Sequence, residues 1–357
     1  MAYPTFGVND AMAVKHWSKI LSHSARDTTP IAPLMGEDEN SIIQVKTETR
    51  KDKGDSVTFA LLARLASDGF SEGQVAIGNA EAMTLYSQAA VINEIGTTCA
   101  PPSQDSIDHQ RVPFNLRDEA KGLLGLWFGE RWAKWFFNQV CGYTAETRDK
   151  YYGFNAPAAP TSGRQLWNEA GTTDDQSLDS NDTMTLDTLD KAVELCTVGA
   201  PMVRPVKVGG EDMYVCYMHP YQVTSLRTNT STGQWLDIQK AAMSGGKITS
   251  NAIFTGALGV YNGVVIRKSQ DVTQGVNSST GAAVTTVRRA VVLGAQAAVM
   301  GFGTGKALTK YRWSEELIDH GRKLEVGGWT FAGMKKTKFN SADFGVVVIS
   351  TYAAAAA

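Results

Sequence analysis

The sequence predicts an α+β fold, and three observations predict it. A tryptophan-rich segment, Leu116 to Val140, carries helical periodicity over roughly seven turns. An extended run with period-two alternation opens after Gly54-Asp55, turns among glycines near residue 70 and returns. From Leu186 onward, short helices alternate with strands in a compact stretch.

The first fifty residues read as an arm. Ala11 to Ser22 has Met12, Trp17, Ile20 and Leu21 at helical spacing, and Thr29-Pro30-Ile31-Ala32-Pro33 stops any helix there, because proline lacks the N–H and restricts its predecessor. Ile42, Ile43 and Val45 suggest a short strand. Val57, Phe59 and Leu61 alternate as a strand, and Asp68-Gly69-Phe70-Ser71-Glu72-Gly73 is a turn cluster. A return strand lies within Thr84 to Ile95, although Ala80 to Ala90 is also compatible with helix.

The long helix is the strongest element. Asn115 is a good N-cap and Asp118 suits the dipole of the first turn. Ala120, Leu123, Leu124, Trp127, Trp132, Trp135 and Phe136 form one wide apolar face, interrupted by Arg131. Gly122, Gly125 and Gly129 weaken the helix intrinsically, so packing must hold it. Thr144 to Thr185 is a loop, and its acidic part, Gln165 to Asp190, has Glu169 and six Asp with no Lys or Arg.

Leu186, Leu189, Val193 and Cys196 predict a helix closed by Gly199 and Pro201. Val206 to Met218 predicts a hairpin turned at Gly209-Gly210. Pro220 suits a first helical position, and Trp235 to Met243 predicts a further short helix. Val264 to Ile266 and Ala290 to Leu293 are buried strands, with Gln270 to Gly281 a polar loop between them. Leu324 to Val326, Trp329 to Phe331 and Gly345 to Ile349 are further strands.

Composition narrows the function. With 34 Lys plus Arg against 36 Asp plus Glu, the formal charge is −2, whereas a protein that grips nucleic acid by phosphate neutralisation carries a basic excess. The four cysteines are widely spaced, which argues against a zinc site or a disulfide framework. The start has neither the basic nor the apolar region of a signal peptide, and Val346 to Ile349 is too short to cross a bilayer. A soluble protein with no membrane partner is expected.

No motif reaches the standard of an active site. Asp319-His320 reads as a structural pair, since strand neighbours face opposite ways. Gly-x-Ser-x-Gly is absent. Gly301-Phe302-Gly303-Thr304-Gly305-Lys306 fails the phosphate-loop spacing, which needs Gly at Met300 and Ser or Thr at Ala307, and reads as a tight turn after a strand. Asp179, Asn181, Thr183 and Asp190 echo a calcium loop but lack Gly at Met184, so a solvated acidic loop is expected. Arg322, Lys323, Lys335, Lys336 and Lys338 gather with Phe331 and Phe339, a pattern that can suggest single-strand binding by stacking but reads first as a solvent-facing or interface cluster, with pairing to a neighbour's acidic loop as a third option.

Several stretches then carry a likeness. They are Ser41 to Lys46 with Lys53 to Phe59; His109-Gln110-Arg111-Val112-Pro113-Phe114-Asn115-Leu116-Arg117; Phe254 to Val264; and Asp319 to Arg322 with Gly333 to Asn340 and Phe344 to Val346. Taken in order, they resemble the major capsid proteins of tailed bacteriophages, in the branch of N-four-like podoviruses. The resemblance implies an HK97-type fold with an N-terminal arm (1–48), an E-loop (49–112), a peripheral domain with a spine helix (113–185), an axial domain (186–305) and a return to the peripheral domain (306–357). It implies a shell subunit, not an enzyme, with no cofactor and no metal. The subunit would form hexamers and pentamers of an icosahedral head around double-stranded DNA that it contacts non-specifically.

The expected location is the virion capsid, assembled in the host cytoplasm. Expected partners are a separate scaffolding protein (only about fifty residues precede the hairpin), a portal and a decoration protein. Inter-subunit contacts are expected at Gly69, Phe70, Glu72, Arg322, Lys335 and Lys336. The alternatives are a nanocompartment shell of the same fold, resembling encapsulins, and an α+β enzyme of unrecognised class.

Overall fold

The computed structural model describes residues 30–46, 55–62, 67–73, 80–101, 116–169, 171–208, 210–229, 259–303, 311–320 and 323–355, with single positions at 21, 65, 77 and 111. The expected helices at 11–22 and 235–243, the Asn115 cap and the stretch 254–258 lie outside the described residues, Leu21 excepted.

In chain order, β1 (Met35–Gly36) and β2 (Ile43–Lys46) precede the hairpin strands β3 (Ser56–Leu62) and β4 (Leu85–Val91), and β5 (Asn93–Cys99) follows after one residue. The long helix α1 (Leu116–Val140), β6 (Gln165–Trp167) and α2 (Leu186–Val198) come next, then β7 (Val206–Val208), β8 (Glu211–Met218) and α3 (Pro220–Thr228). Strands β9 (Gly259–Tyr261), β10 (Val264–Lys268), β11 (Gln274–Val276), β12 (Ala283–Leu293), β13 (Ala298–Gly303), β14 (Arg312–Ile318), β15 (Lys323–Lys336), β16 (Lys338–Phe339), β17 (Ala342–Asp343) and β18 (Val346–Tyr352) complete the chain.

The caps follow from local sequence. Thr185 caps α2 through Thr188 N–H, and Gly199 follows its last turn. His219 caps α3: its Nδ1 accepts from Tyr221 N–H, while its own N–H donates to Gln222 Oε1, with Pro220 at the first position. Gly142 closes α1 at φ +63°, and Tyr143 N–H reaches back to the Asn138 carbonyl.

Two sheets share the molecule. The first runs β1-β2-β13-β15-β14, with β5 on the other edge of β15; the second runs β6-β18-β12-β8-β10-β9, with β11 beside β12 and β7 beside β8. The second is a wall with both faces buried. Val346, Val348, Val291, Leu293 and Tyr217 face a core built by α1 and the first sheet. Their neighbours Val347, Ile349, Ala290, Val292 and Cys216 face a core built by α2 and α3. A strand apolar on both sides reads as the unbroken run Val346-Val347-Val348-Ile349 instead of an alternation. These sheets divide the chain differently from the segments drawn on the sequence. β13, from the middle segment, lies in the first sheet; β18 and β6, from the flanking segments, lie in the second.

The long helix changes character along its length. Near its start Leu123 and Leu126 are exposed, so Leu123 is not on the buried face that its spacing suggested. From Trp135 to Val140 every residue is buried. Phe128, Trp132, Trp135 and Phe302 interlock edge-on and stacked, with Trp132 and Trp135 rings 4.6 Å apart, and Trp132 Nε1 donates to Tyr311 Oη at 2.9 Å. Arg131 stays at the rim, over the Trp127 and Tyr151 rings.

Two sets of glycines lie inside strands. Gly327-Gly328 does not break the C-terminal run, and β15 is one strand of 14 residues. A Cβ on Gly328 would stand 3.0 Å from Leu21, 3.4 Å from Phe128 and 3.7 Å from Leu124, so the glycine lets the helix close onto the sheet. Gly301 and Gly303 likewise belong to β13, not to a turn. Asp319 and His320, expected as strand neighbours, instead form a turn between β14 and β15, both at positive φ.

Charge is buried at two joints. The acidic loop is not wholly solvated: Asp175 is 1% exposed and pairs with Arg289 at 2.8 Å. Asp175 also accepts from Gln165, Trp167 and Val276 N–H, and Arg289 donates to the Cys141 and Gly142 carbonyls that end α1. Lys336 is 1% exposed and pairs with Asp343 at 3.0 Å, its ammonium also reaching the Ala158 carbonyl. Burial lowers the Lys336 pKa, and Asp343 pulls it back up. Lys336 is therefore not a surface contact. The turn at Asn340-Ser341, both at positive φ, folds Asp343 back toward it.

Two outcomes test this packing. Trp132→Ala is expected to cost about 3–5 kcal/mol in urea unfolding, as for a large core side chain removed with little collapse. Lys336→Ala alone should cost a similar ~3–5 kcal/mol by stranding Asp343. The pair Lys336→Met with Asp343→Leu should recover most of that in the same measurement.

A candidate inter-subunit hairpin

The candidate site is a surface, and β3 and β4 carry it. They pair antiparallel from Ser56 opposite Val91 to Leu62 opposite Leu85, which settles Leu85 to Val91 as strand and not helix. Alternation then sorts their side chains. Val57, Phe59 and Ala90 are buried beneath the hairpin. Phe59 meets Phe339 edge-on with centroids 6.1 Å apart, and Phe339 meets Phe344 at 5.3 Å. The opposite face presents Thr58, Ala60, Ser87 and Ala89, all exposed.

Beyond Leu62 and Leu85 this support ends. Among the described residues, six of the thirteen exposed large apolar side chains lie between positions 62 and 85: Leu62, Leu65, Phe70, Ile77, Met83 and Leu85. A concentration of this kind marks a contact surface, whereas scattered exposed apolar residues do not. Ser67 N–H donates to Glu81 Oε2 at 2.7 Å and ties the two limbs together. Glu72 is exposed, and Gly69 sits at φ +73° with open space where a Cβ would be.

The expected contact residues therefore divide. Gly69, Phe70 and Glu72 lie together on the exposed limb. Arg322 lies outside the described residues. Lys335 is half-buried and donates from Nζ to the Ala89 carbonyl of its own hairpin at 2.8 Å. Lys336 is interior, and Lys338 reaches toward Asp343 at 3.9 Å. Lys335, Lys336 and Lys338 are thus engaged within the subunit, whereas Lys323 is exposed beside Asp319. Reasoning from sequence overlooked Leu62, Leu65, Ile77, Met83 and Leu85. Their signal was a run of isolated large apolar residues at and beyond the end of the alternating strand, with no helical or strand periodicity to give them a buried face.

The groups that could do chemistry have structural employment. His219 caps a helix, and burial with Arg288 nearby lowers its pKa to about 4. Cys141, Cys196 and Cys216 are buried thiols, and burial pushes Cys196 up to about 12, far from a reactive thiolate. Among the described residues, no group of three or more His, Cys, Asp or Glu is placed to hold a metal ion, and no helix is long and apolar enough to cross a membrane.

Comparison with known proteins agrees with this picture. The chain matches the phage capsid protein family over residues 5–355. It is 24% identical to the major capsid protein of Pseudomonas phage KPP25 over 366 aligned residues, 95% of this chain and 94% of that one. The capsid of Ralstonia phage GP4 superposes with a TM-score of 0.77 at 30% identity, covering 99% of this chain and 96% of that one. The capsid of cyanophage Pam1 superposes at 0.71 with 20% identity, covering 91% and 92%. The α+β architecture is accordingly that of the phage capsids, the HK97-type fold. With its apolar hairpin limb and its polar groups spent on structure, the chain belongs to the phage capsid protein family, and its work is structural and not catalytic.

Proposed function

We propose that this chain is the major capsid protein of a tailed phage, that it assembles into the hexamers and pentamers of an icosahedral head, and that it encloses double-stranded DNA. The observation that carries the assembly reading is the hairpin. Its base rests on its own subunit, and its far limb displays six large apolar side chains. An isolated two-stranded hairpin is marginal in water. Each Leu, Phe or Met buried on a neighbour contributes roughly 1.5–3 kcal/mol, so a few such anchors stabilise a contact repeated round a ring.

On this reading residues 1–48 form the arm, 49–112 the E-loop, 113–185 and 306–357 the peripheral domain, and 186–305 the axial domain. β5 and β13 tie these segments to one another through β15. A formal charge of −2 suits a wall that contains packaged DNA without gripping it. Assembly in the host cytoplasm would use a scaffolding protein, a portal and a decoration protein.

The test is to express the full chain with its phage partners and with residues Gly69 to Gly78 deleted. The intact chain is expected in megadalton particles containing DNA. The deletion should leave the subunit folded, with its melting temperature within a few degrees, and block or weaken shell closure. Normal particles from the deleted chain would remove the hairpin from assembly, and particles filled with a cargo enzyme and no DNA would favour a nanocompartment.

A further inference from the structure

The hairpin base is held by an arrangement that neither sheet pairing nor apolar packing accounts for. β4 uses one edge to pair with β3, and its other edge faces the body without joining a sheet. Three side chains bridge that place: the Lys335 ammonium, which donates to the Ala89 carbonyl at 2.8 Å, and two amides. Asn155 accepts from Val91 N–H through Oδ1 at 2.9 Å and donates from Nδ2 to the Val91 carbonyl at 3.0 Å, as a strand neighbour would. Gln88 donates to the Lys336 carbonyl at 3.1 Å and accepts from Lys338 N–H at 2.8 Å. Each amide therefore supplies one donor and one acceptor to backbone on the far side of the joint.

The attachment reaches the centre of the subunit. Asn155 also donates to the Gly153 carbonyl at 2.8 Å, and its own carbonyl accepts from Gln139 near the end of α1. Gln139 Oε1 in turn accepts from Lys336 N–H at 3.2 Å. Beneath the joint the floor is glycine. A Cβ on Gly333 would collide with the Val91 carbonyl, and one on Gly301 would stand 3.0 Å from Val57 and 3.2 Å from Ile92. On the β3 side the hairpin overlies a small cleft lined by Gln44, Lys46, Phe59, Leu61 and Phe339. One residue, Ile92, separates β4 from β5, which lies firmly in the first sheet.

Three point attachments on one side (one from the Lys335 ammonium, two from amides that each bond both a donor and an acceptor), a cleft on the other and a one-residue junction describe a hinge held by a latch. A continued sheet would have fixed the angle with a full ladder of bonds. We propose that Gln88 and Asn155 are positioning residues that latch the hairpin base to the body and set the angle at which the arm meets a neighbouring copy. This rests on the reading of the hairpin as the assembly arm. It adds which residues aim the arm, and it couples that aim to the last turn of the long helix.

The test uses the full chain with Gln88→Ala, Gln88→Glu and Asn155→Ala, followed by amide hydrogen exchange and electron microscopy of the particles. Asn155→Ala is expected to speed exchange at Val91 at least tenfold, and Gln88→Ala to do the same at Lys338. Amides of α1 and β12 should keep wild-type rates. Gln88→Glu keeps the acceptor and loses the donor, so Lys338 should stay protected while the particles vary in size. Unchanged exchange at Val91 and Lys338, or an equal rise throughout the subunit, would overturn the latch. If Asn155→Ala does not fold, Gln88→Ala at the rim decides the matter alone: uniform wild-type particles from a chain with an unprotected Lys338 amide would also overturn it. The tip deletion reports on the arm itself and leaves the latch bonds in place, so the two ideas can fail separately.

Discussion

The architecture depends on one sheet being buried on both faces. β8, β12 and β18 stand between the core under α1 and the core under α2 and α3, and successive residues of each strand enter opposite sides. A slip of one residue would exchange the two sets. The slip is costly because the sets differ in volume: Ala290 and Cys216 on one side, Val291 and Tyr217 on the other. Register is thus set by packing in two cores at once, and a subunit made of distant chain segments closes as one body.

Buried charges sit where those segments meet. Arg289 reaches across to the acidic loop and the end of the long helix, Lys336 to Asp343 and the Ala158 carbonyl, and Arg164 to carbonyls at Leu195 and Pro201. Burial lowers the Arg164 pKa as it does that of Lys336. Such groups rarely add net stability over apolar equivalents. They penalise misjoined alternatives, in which a cation would be buried without its oxygens. The Asp175 carboxylate meets Gln165, Trp167, Val276 and Arg289 in one geometry only.

What the sequence made legible follows from range. The long helix, the strand at Val57 to Leu61, the hairpin around Gly210 and the Pro220 helix start rest on local rules, and each is found. Gly301 was misread as part of a turn, and the strands at Leu324 to Val326 and Trp329 to Phe331 were drawn apart at Gly327-Gly328, because a glycine in a turn and a glycine beneath a crossing helix or hairpin have the same local appearance. The second needs Ile92, or Leu21 and Phe128, brought in from elsewhere. Lys336 failed for the same reason: nothing beside it in the chain announces that Asp343 folds back against it. The site was half legible. The tip residues follow from turn chemistry, but the amides that hold the base are ordinary polar residues until the fold sets Asn155 against Val91, 64 positions away.

A shell subunit must stay dispersed long enough to be placed, yet carry surface that only a neighbour can bury. The hairpin meets both demands by separating them along its length. At the base, Phe59 and Ala90 are satisfied within the subunit, so folding does not wait for assembly. From Leu62 to Leu85 the exposed apolar side chains are interspersed with Asp68, Glu72 and Glu81, whose charges oppose unguided association. On the proposed reading, the direction of the hairpin limb decides which contacts can close into a ring. Direction is a property of the base, where a few hydrogen bonds over a glycine floor can be remade at small cost while the two-sided wall behind them stays fixed.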